Sequence, residues 1–215
     1  MDISNSVRDV YNNIANDFNN TRNKIWNVIE KFINSLSANC LVGDIGCGNG
    51  KNMDLSRKDI KFKGMDFSKE FVKICLSKGL DVIEGNILNI PFESDYFDNV
   101  ICIAVVHHLS EKNDRIKAIQ ELLRITKTGG KILIYVWAFN QPENSKRKFK
   151  TNDEMVPYKK INGEVYFRYY HLYNQGELED DINVAENVAK NKINIVESGY
   201  EYGNYYTIIE KIITQ

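Results

Sequence analysis

The chain has 215 residues, of which 43% are hydrophobic and 27% charged, and its formal net charge at pH 7 is −1. The composition is typical of a globular protein, the length suits one domain over residues 1–215, and the near-zero charge excludes a global basic field for binding nucleic acid. The N-terminus is polar, and no apolar run approaches the roughly 18 residues of a membrane span. We therefore expect a cytoplasmic protein with no membrane segment.

The cysteines do not predict a metal site. The chain has four cysteines and three histidines, and the cysteines form no C-x-x-C pair. A self-contained zinc site needs clustered ligands of these types, so the pattern indicates reduced thiols and no bound metal.

Seven strands are predicted, and helices separate most of them. Apolar residues recur at helical spacing over 7–18 and 25–36, which predicts two helices before the first strand. The next strand candidates are 40–45, 61–66, 81–84, 98–104 and 131–137. A helix at about 111–126 is predicted before the last of them. Two strand-like segments at 193–197 and 205–212 predict a closing hairpin. This alternation is typical of an α/β fold with a mostly parallel sheet and helices on both faces.

Residues 139–175 break this alternation, because they are polar, partly basic and then aromatic. We interpret them as an insert on the substrate side of the domain. Within them, basic residues surround Phe149 over 146–150, a combination that favours RNA phosphates and bases. A solvated run of charges is the alternative.

A glycine-rich loop follows the first predicted strand. Residues 42–50 read V-G-D-I-G-C-G-N-G, so an acid precedes a G-x-G-x-G pattern, and Lys51 stands where a dinucleotide fingerprint has its third glycine. Glycines let a backbone approach a ligand, and a helix expected after the loop would offer free N–H groups to it. A glycine-rich turn in an unrelated α/β protein is the alternative.

Asp66 ends the second predicted strand, 20 positions after Gly46. An acid at this place in a nucleotide-binding fold accepts hydrogen bonds from ribose hydroxyls, although a solvated surface Asp is the alternative. Segments 85–86 and 105–108 also fall at the carboxyl ends of predicted strands, where parallel sheets bind ligands. We therefore expect all these segments to form one site.

The glycine loop and its acid resemble motif I of the class I S-adenosylmethionine (SAM) methyltransferases. Further segments narrow the resemblance to one subfamily, the tRNA wobble-uridine carboxymethyl methyltransferases: 10–22, 103–108, 134–138 and 168–178. The resemblance implies a Rossmann-like class I methyltransferase fold with a seven-stranded sheet. It also implies SAM as the cofactor and S-adenosyl-L-homocysteine as the product.

The resemblance also implies which residues bind the cofactor. These are Asp44, Gly46, Cys47, Gly48, Asn49, Gly50, Asp66, Phe67, Asn86, Ile87 and Ala104. Asn86 departs from the pattern, since methyltransferases commonly carry Asp against the adenine amino group. An Asn can still accept a hydrogen bond through its side-chain oxygen, so we expect binding with lower affinity.

The reaction implied by the resemblance is methyl esterification of a 5-carboxymethyl group on the wobble uridine, in the anticodon loop of tRNA. A small zinc-binding activator subunit is also implied, as the partner in a heterodimer. The near-neutral charge of the chain suits a partner that completes the RNA surface, docked by strand addition at a sheet edge. Two alternatives stay open: a small-molecule SAM-dependent methyltransferase and a SAM-binding scaffold without catalysis.

A carboxylate nucleophile is ionised at neutral pH and needs no general base. Arg22 and Arg168 are candidates to bind it or a nearby phosphate, because a guanidinium pairs with both groups in bidentate fashion. We expect His107, rather than His108, to line the pocket and to be catalytic together with Arg22. Tyr11 suits either a place over the cofactor or the core. The predicted substrate-binding residues are Arg22, Trp137, Arg168, Tyr169 and His171.

Overall fold

The computed structural model describes residues 3–21, 24–53, 57–189 and 192–212. Its α-helices are α1 (Ile3–Thr21), α2 (Asn27–Ser35), α3 (Lys69–Ser77), α4 (Lys112–Ile125) and α5 (Glu177–Ala189). Its strands are β1 (Leu41–Ile45), β2 (Lys61–Asp66), β3 (Val82–Glu84), β4 (Phe97–Ile103), β5 (Thr126–Trp137), β6 (Asp153–Lys159), β7 (Val165–His171), β8 (Lys192–Glu201) and β9 (Asn204–Ile212). A 3₁₀ turn, Val106–His108, follows β4. Among the helices in these ranges, none combines the length and the apolar character needed to cross a membrane.

Seven of the strands form one sheet in the order β3-β2-β1-β4-β5-β9-β8. The first five pair in parallel, and β9 runs antiparallel between β5 and β8. Tyr202 and Gly203 join β8 to β9 with φ of 49° and 80°, the left-handed pair that a tight two-residue hairpin turn requires. The predicted α/β fold, with its mostly parallel sheet and closing hairpin, is confirmed.

The central strands are apolar on both faces because helices cover both. In β4, Val100 and Cys102 belong to the core cluster built on α4 and α5. The alternate residues, Ile101 and Ile103, belong to the cluster built on α2. A strand buried in this way reads as a nearly continuous apolar run, which is what the sequence of β4 shows.

The helix expected after the glycine loop does not form in the described residues. Residues 46–53 make turns, since Gly46, Gly48 and Gly50 have φ of 79°, 55° and 74° and a helical residue has φ of about −63°. Within the described residues, this segment therefore presents loop backbone, and no helix N-terminus, to a ligand.

The start of β5 also differs from the prediction. β5 begins at Thr126, which pairs with Phe97, whereas the regular register starts with Lys131 opposite Asn99. The intervening residues form an irregularity in the strand, with Gly129 at φ of 81°. Gly129 and Gly130 therefore lie in an irregularity within an extended strand.

The predicted insert contains a separate antiparallel hairpin, β6–β7, that packs on α1. Tyr158 donates its hydroxyl hydrogen to Asp17 Oδ2 at 2.7 Å, and its ring stacks on Phe18 with centroids 6.2 Å apart. The first helix and this hairpin therefore form one wall, although they are far apart in the chain.

Gly50→Ala tests whether the loop needs a glycine for space as well as for backbone conformation. A Cβ at Gly50 would lie 2.4 Å from Leu80 Cδ1, whereas at Gly79, with nearly the same φ of 75°, it would meet nothing within 4 Å. Gly79→Ala is therefore the matched control, with backbone strain of about 1–2 kcal/mol. In urea unfolding we expect Gly50→Ala to lose a further ~1–3 kcal/mol through overpacking. Equal losses for the two variants would show that Leu80 moves aside.

Candidate cofactor and substrate cavity

A cavity of about 480 Å³ opens at the carboxyl ends of β1, β2 and β4, and α1 and β7 contribute to its walls. Its volume is in the range of small-molecule sites. Most of the residues predicted to bind the cofactor line this cavity: Gly46, Cys47, Gly48, Asn49, Asp66, Phe67, Asn86, Ile87 and Ala104. Asp44 and Gly50 are not part of the lining. The predicted segments therefore do meet at one edge of the sheet.

Gly46 and Gly48 meet different constraints in the loop. A Cβ at Gly46 would lie 2.2 Å from Val105 Cγ2, so the close approach of β1 to the end of β4 excludes a side chain. At Gly48 nothing lies within 4 Å, but φ is 55°, a region that glycine enters without strain. The loop therefore presents bare backbone to the cavity.

Asp66 connects the glycine loop to α3. Its Oδ2 accepts from Gly48 N–H at 2.7 Å, and its Oδ1 accepts from Ser68 N–H at 2.8 Å. Ser68 in turn caps α3, since its hydroxyl oxygen accepts from Phe71 N–H. Burial raises the pKa of Asp66 to about 6, although these hydrogen bonds favour its ionised form. Each carboxylate oxygen can accept another hydrogen bond, which suits a ribose diol.

Asp44 is a fully buried carboxylate at the end of β1. Burial, together with the charge of Asp66, raises the pKa of Asp44 to about 7, while Asn52 and Lys51 lower it. Neither of its oxygens makes a hydrogen bond of normal geometry to the described part of the chain. An incompletely satisfied acid pair fits a cationic ligand, and SAM carries both a sulfonium and an ammonium group.

Asn86 lies on the cavity wall after β3, in an Asx turn in which its Oδ1 accepts from Leu88 N–H at 2.9 Å. One lone pair of that oxygen remains for an adenine amino group. Across the cavity, Ala104 has φ of 61°, which is strained for a residue with a Cβ. Such strain is common where a strand end is shaped for a ligand.

His108 lines the cavity, and His107 does not. His108 Nε2 lies 2.8 Å from the Tyr11 hydroxyl, and its Nδ1 lies 2.8 Å from the Tyr169 carbonyl. His107 is fully buried behind it, where its Nδ1 accepts from Trp137 N–H at 3.0 Å. The expectation that His107 faces the pocket is therefore wrong, because the 3₁₀ turn rotates consecutive residues away from a strand-like alternation. Burial holds the pKa of both imidazoles down, that of His108 to about 3.

Arg168 and the aromatic residues around it form the opposite wall. Its guanidinium carbon lies 5.2 Å from the ring centroids of Tyr158 and Tyr170 and 5.8 Å from that of Tyr11. Arg168 forms no ion pair within the described ranges of the chain, and its buried Nε has no hydrogen-bond partner there. Trp137 also lines the cavity, with the Arg147 guanidinium 4.1 Å above its ring.

Tyr169 and His171 lie outside the cavity, contrary to their predicted role in substrate binding. The Tyr169 hydroxyl donates to Asp153, and His171 lies between Asp153 and Glu177, with its Nε2 2.6 Å from Glu177 Oε1. These contacts join the hairpin to α5. Arg22 lies outside the described residues.

Tyr170 is one of the cavity residues that were not predicted from the sequence, and strand geometry could have found it. Successive residues of a strand point to opposite faces, so Arg168 and Tyr170 share one face of β7, and Tyr169 and His171 share the other. Assigning Arg168 to the site should therefore have selected Tyr170 with it.

Solved methyltransferases share this fold at low sequence identity. A SAM-dependent methyltransferase from Methanosarcina mazei has a TM-score of 0.66 at 16% identity, over 89% of this chain and 100% of its own. A methyltransferase solved in complex with the Haloferax volcanii Trm112 methyltransferase activator has a TM-score of 0.69 at 15% identity, over 98% of this chain and 99% of its own. Residues 43–134 match the family described as a methyltransferase domain. The sheet order, the glycine loop and the two acids thus define a class I SAM-dependent methyltransferase.

Two relatives of similar sequence indicate which family of methyltransferases the chain belongs to. The tRNA (carboxymethyluridine(34)-5-O)-methyltransferase of Schizosaccharomyces pombe is 37% identical over 95% of this chain and 96% of its own length. The enzyme of the same name, alkbh8, from Xenopus tropicalis is 32% identical over 87% of this chain, which spans only 38% of that longer protein. The chain belongs to the tRNA (carboxymethyluridine(34)-5-O)-methyltransferase family.

Asp66→Ala should weaken SAM binding roughly 10- to 100-fold, because it removes a charged acceptor for hydrogen bonds and the anchor of Gly48. Calorimetric titration with SAM measures the effect. Asp81→Ala is the matched control, since Asp81 is an exposed acid paired with Lys63 at the surface. Equal SAM affinities for the two variants would exclude Asp66 from the cofactor site.

SAM affinity should rise between about pH 6 and pH 7, with release of protons on binding. The raised pKa values leave Asp44 and Asp66 partly protonated in this range, and a cationic ligand favours their ionised forms. Calorimetry in buffers of different ionisation enthalpy measures the released protons. Asp44→Asn should reduce their number, and proton uptake would contradict the assignment.

Proposed function

We propose that this chain transfers the methyl group of SAM to the carboxylate of 5-carboxymethyluridine at the wobble position of tRNA, which forms the methyl ester. The name of the S. pombe relative states this substrate, and the similarity extends over nearly the whole of both chains. Within the cavity, the observation that carries the proposal is Arg168, a buried cation without a carboxylate partner in the described structure.

Arg168 supports an anionic substrate by its surroundings. Only 6% of the residue is exposed, and its hydrogen-bond contact there is the long 3.4 Å one to the Tyr11 hydroxyl. Aromatic faces stabilise a guanidinium in part, but a buried charge without a counter-ion remains costly. A carboxylate from the substrate would supply that counter-ion and would accept the planar fork of Arg168.

The chemistry needs orientation and charge rather than a base. SAM supplies a methyl group on a sulfonium, and the carbon–sulfur electron pair returns to sulfur as the new carbon–oxygen bond forms. Asp66 lines one end of the cavity, where it and the buried Asp44 would favour positive charge, and Arg168 would hold the negative reactant at the other end. Bringing a cation and an anion together cancels their charges, which a dry cavity favours.

The wall beside Arg168 suits a pyrimidine base. The rings of Trp137 and Tyr170 lie with centroids 4.3 Å apart at an interplanar angle of 31°. Because the Arg147 guanidinium lies 4.1 Å above the Trp137 ring, an unstacked RNA base would stack on the guanidinium or take its place on the ring. We assign the uracil ring to this wall, which would place its 5-substituent near Arg168.

A second cavity of about 280 Å³ supports RNA over a free nucleoside. It shares Trp137, Arg147 and Arg168 with the first and continues along the β6–β7 hairpin to Lys159 and Lys160. Basic side chains therefore lead away from the proposed base site, as a phosphate backbone would require. This arrangement supports a substrate-side role for residues 139–175.

For a partner, we propose a small zinc-binding activator subunit in a heterodimer. One neighbour with the same fold was solved in complex with a methyltransferase activator. Strand addition requires an open sheet edge, and the edges of the seven-stranded sheet are β3 and β8. β8 exposes Ile195, Val196 and Tyr200 beside its edge, which are apolar side chains that a partner could cover.

Methyl transfer from labelled SAM to tRNA carrying 5-carboxymethyluridine tests the proposal, with and without the activator. We expect incorporation into this tRNA, larger with the activator, and none into tRNA with unmodified uridine. Transfer to small carboxylates or phenols but not to tRNA would favour the small-molecule alternative. Bound SAM without any transfer would favour the non-catalytic scaffold.

Arg168→Ala should leave SAM affinity within about twofold and lower kcat/KM for tRNA by roughly 100-fold, since it removes a buried charge pair with the substrate. Arg168→Lys should recover only part of the loss, because it keeps the charge and loses the fork. Calorimetry and initial rates separate the two effects. Normal turnover in Arg168→Ala would move the carboxylate to another residue, and Arg22 is the remaining candidate.

Charge reversal at Lys146, Lys148 and Lys159 should raise KM for tRNA and leave kcat largely unchanged. Each lost phosphate contact should lower the slope of log affinity against log salt by about one. Lys117→Glu is the control, since Lys117 is exposed on α4, outside both the β6–β7 sheet and the β8 edge. An unchanged salt slope in the triple variant would remove the hairpin from the RNA path.

A further inference from the structure

Tyr11, His108 and the Tyr169 carbonyl form a chain of hydrogen bonds beside Arg168. The Tyr11 hydroxyl lies 2.8 Å from His108 Nε2, and His108 Nδ1 lies 2.8 Å from the Tyr169 carbonyl oxygen. Both Tyr11 and His108 line the main cavity. The chain therefore ends on the backbone of β7, one residue away from Arg168.

The direction of each hydrogen bond follows from the chemistry of its members. A backbone carbonyl only accepts, so His108 Nδ1 carries a hydrogen and donates it to Tyr169. Burial holds the pKa of His108 near 3, so the imidazole is neutral and its Nε2 carries no hydrogen. Nε2 therefore accepts, and the Tyr11 hydroxyl donates to it.

One donor points at the Tyr11 oxygen, and a second hydroxyl group interacts with Tyr11. Arg168 Nη1 donates to it at 3.4 Å. The Tyr170 hydroxyl also interacts with Tyr11, which is one of the causes, after burial, that raise the pKa of Tyr170. Because the Tyr11 hydroxyl donates its hydrogen to His108, the Tyr11 oxygen is an acceptor on the cavity side, where Arg168 donates to it.

We propose that His108 is a positioning residue that keeps hydroxyl donors away from the attacking carboxylate oxygen of the substrate. It acts through Tyr11, whose hydrogen it accepts, while Arg168 holds the carboxylate. This inference rests on the proposed function, because it needs a carboxylate at Arg168.

Excluding such a donor raises kcat, because its hydrogen bond to the carboxylate would be stronger in the reactant than in the transition state. A hydroxyl that donates to the attacking oxygen stabilises a full negative charge in the reactant and occupies the lone pair needed for attack. The charge declines as the ester forms, so this hydrogen bond weakens on the way to the transition state. An interaction stronger in the ground state lowers kcat. A neutral His108 with its hydrogen on Nδ1 prevents that interaction.

The kinetic test is a double-mutant cycle in the full chain, assayed on tRNA with 5-carboxymethyluridine together with the activator. His108→Leu releases the Tyr11 hydroxyl, and we expect kcat to fall about tenfold, the effect of one charge-assisted hydrogen bond to the reactant. Adding Tyr11→Phe removes that donor, so kcat of the double variant should exceed that of His108→Leu. A double variant as slow as His108→Leu, or slower, would overturn the proposal and leave His108 a structural role.

A second variant and a second readout protect the test against loss of folding. His108→Gln keeps an amide oxygen as an acceptor for Tyr11, so it should lose less kcat than His108→Leu at similar thermal stability. Nitrogen-15 NMR of labelled wild-type protein reports the tautomer without any turnover. A hydrogen on His108 Nε2 would overturn the inference, even where methyl transfer to tRNA is normal. Absence of transfer by the wild type would instead contradict the proposed function, whatever the tautomer.

Discussion

Two buried carboxylates lie at or behind one end of the cavity, and a nearby positive charge stabilises their ionised forms. Burial raises the pKa of both Asp44 and Asp66, and Asp66 raises that of Asp44 further. The loop between them depends on the same acid, because Gly48 N–H donates to Asp66. A cation at this place stabilises the ionised acids, and an ionised Asp66 holds the loop that lines the cavity. Loop conformation, acid ionisation and the binding of a cation at this place are therefore coupled.

The opposite end of the cavity has the reverse polarity. Arg168 is buried there among tyrosine rings, with Arg147 nearby on Trp137. A site that holds acids at one end and a guanidinium at the other can bind a cation and an anion side by side while excluding water. Reaction between two such ligands cancels their charges, so the low polarity that makes the free site costly favours the chemical step. Neutral histidines suit such a reaction, since no proton has to move.

More of the residues predicted to bind the cofactor line the cavity than of those predicted to bind the substrate, and chain topology explains the difference. Segments 42–50, 66–67 and 85–87 lie at the ends of strands that follow one another, so local patterns were enough to predict the fold and family that are now confirmed. The substrate wall instead joins Tyr11 of α1 to Arg168 of β7, which are 157 positions apart. The 3₁₀ turn places His108 and not His107 on the cavity wall, and no periodicity in the sequence predicts that turn. The chemical roles of all these residues stay predictions.

The match to the general methyltransferase domain covers residues 43–134, and the substrate wall lies outside it on both sides. α1 precedes that range and the β6–β7 hairpin follows it, and the two pack on each other through Tyr158 and Phe18. Because each segment needs the other to form the wall, neither could be exchanged alone without opening the cavity. Tyr11 makes the dependence closer, since it lines the cofactor cavity while contacting both His108 and Arg168. On the proposed function, the position of α1 would therefore affect cofactor binding and substrate orientation together.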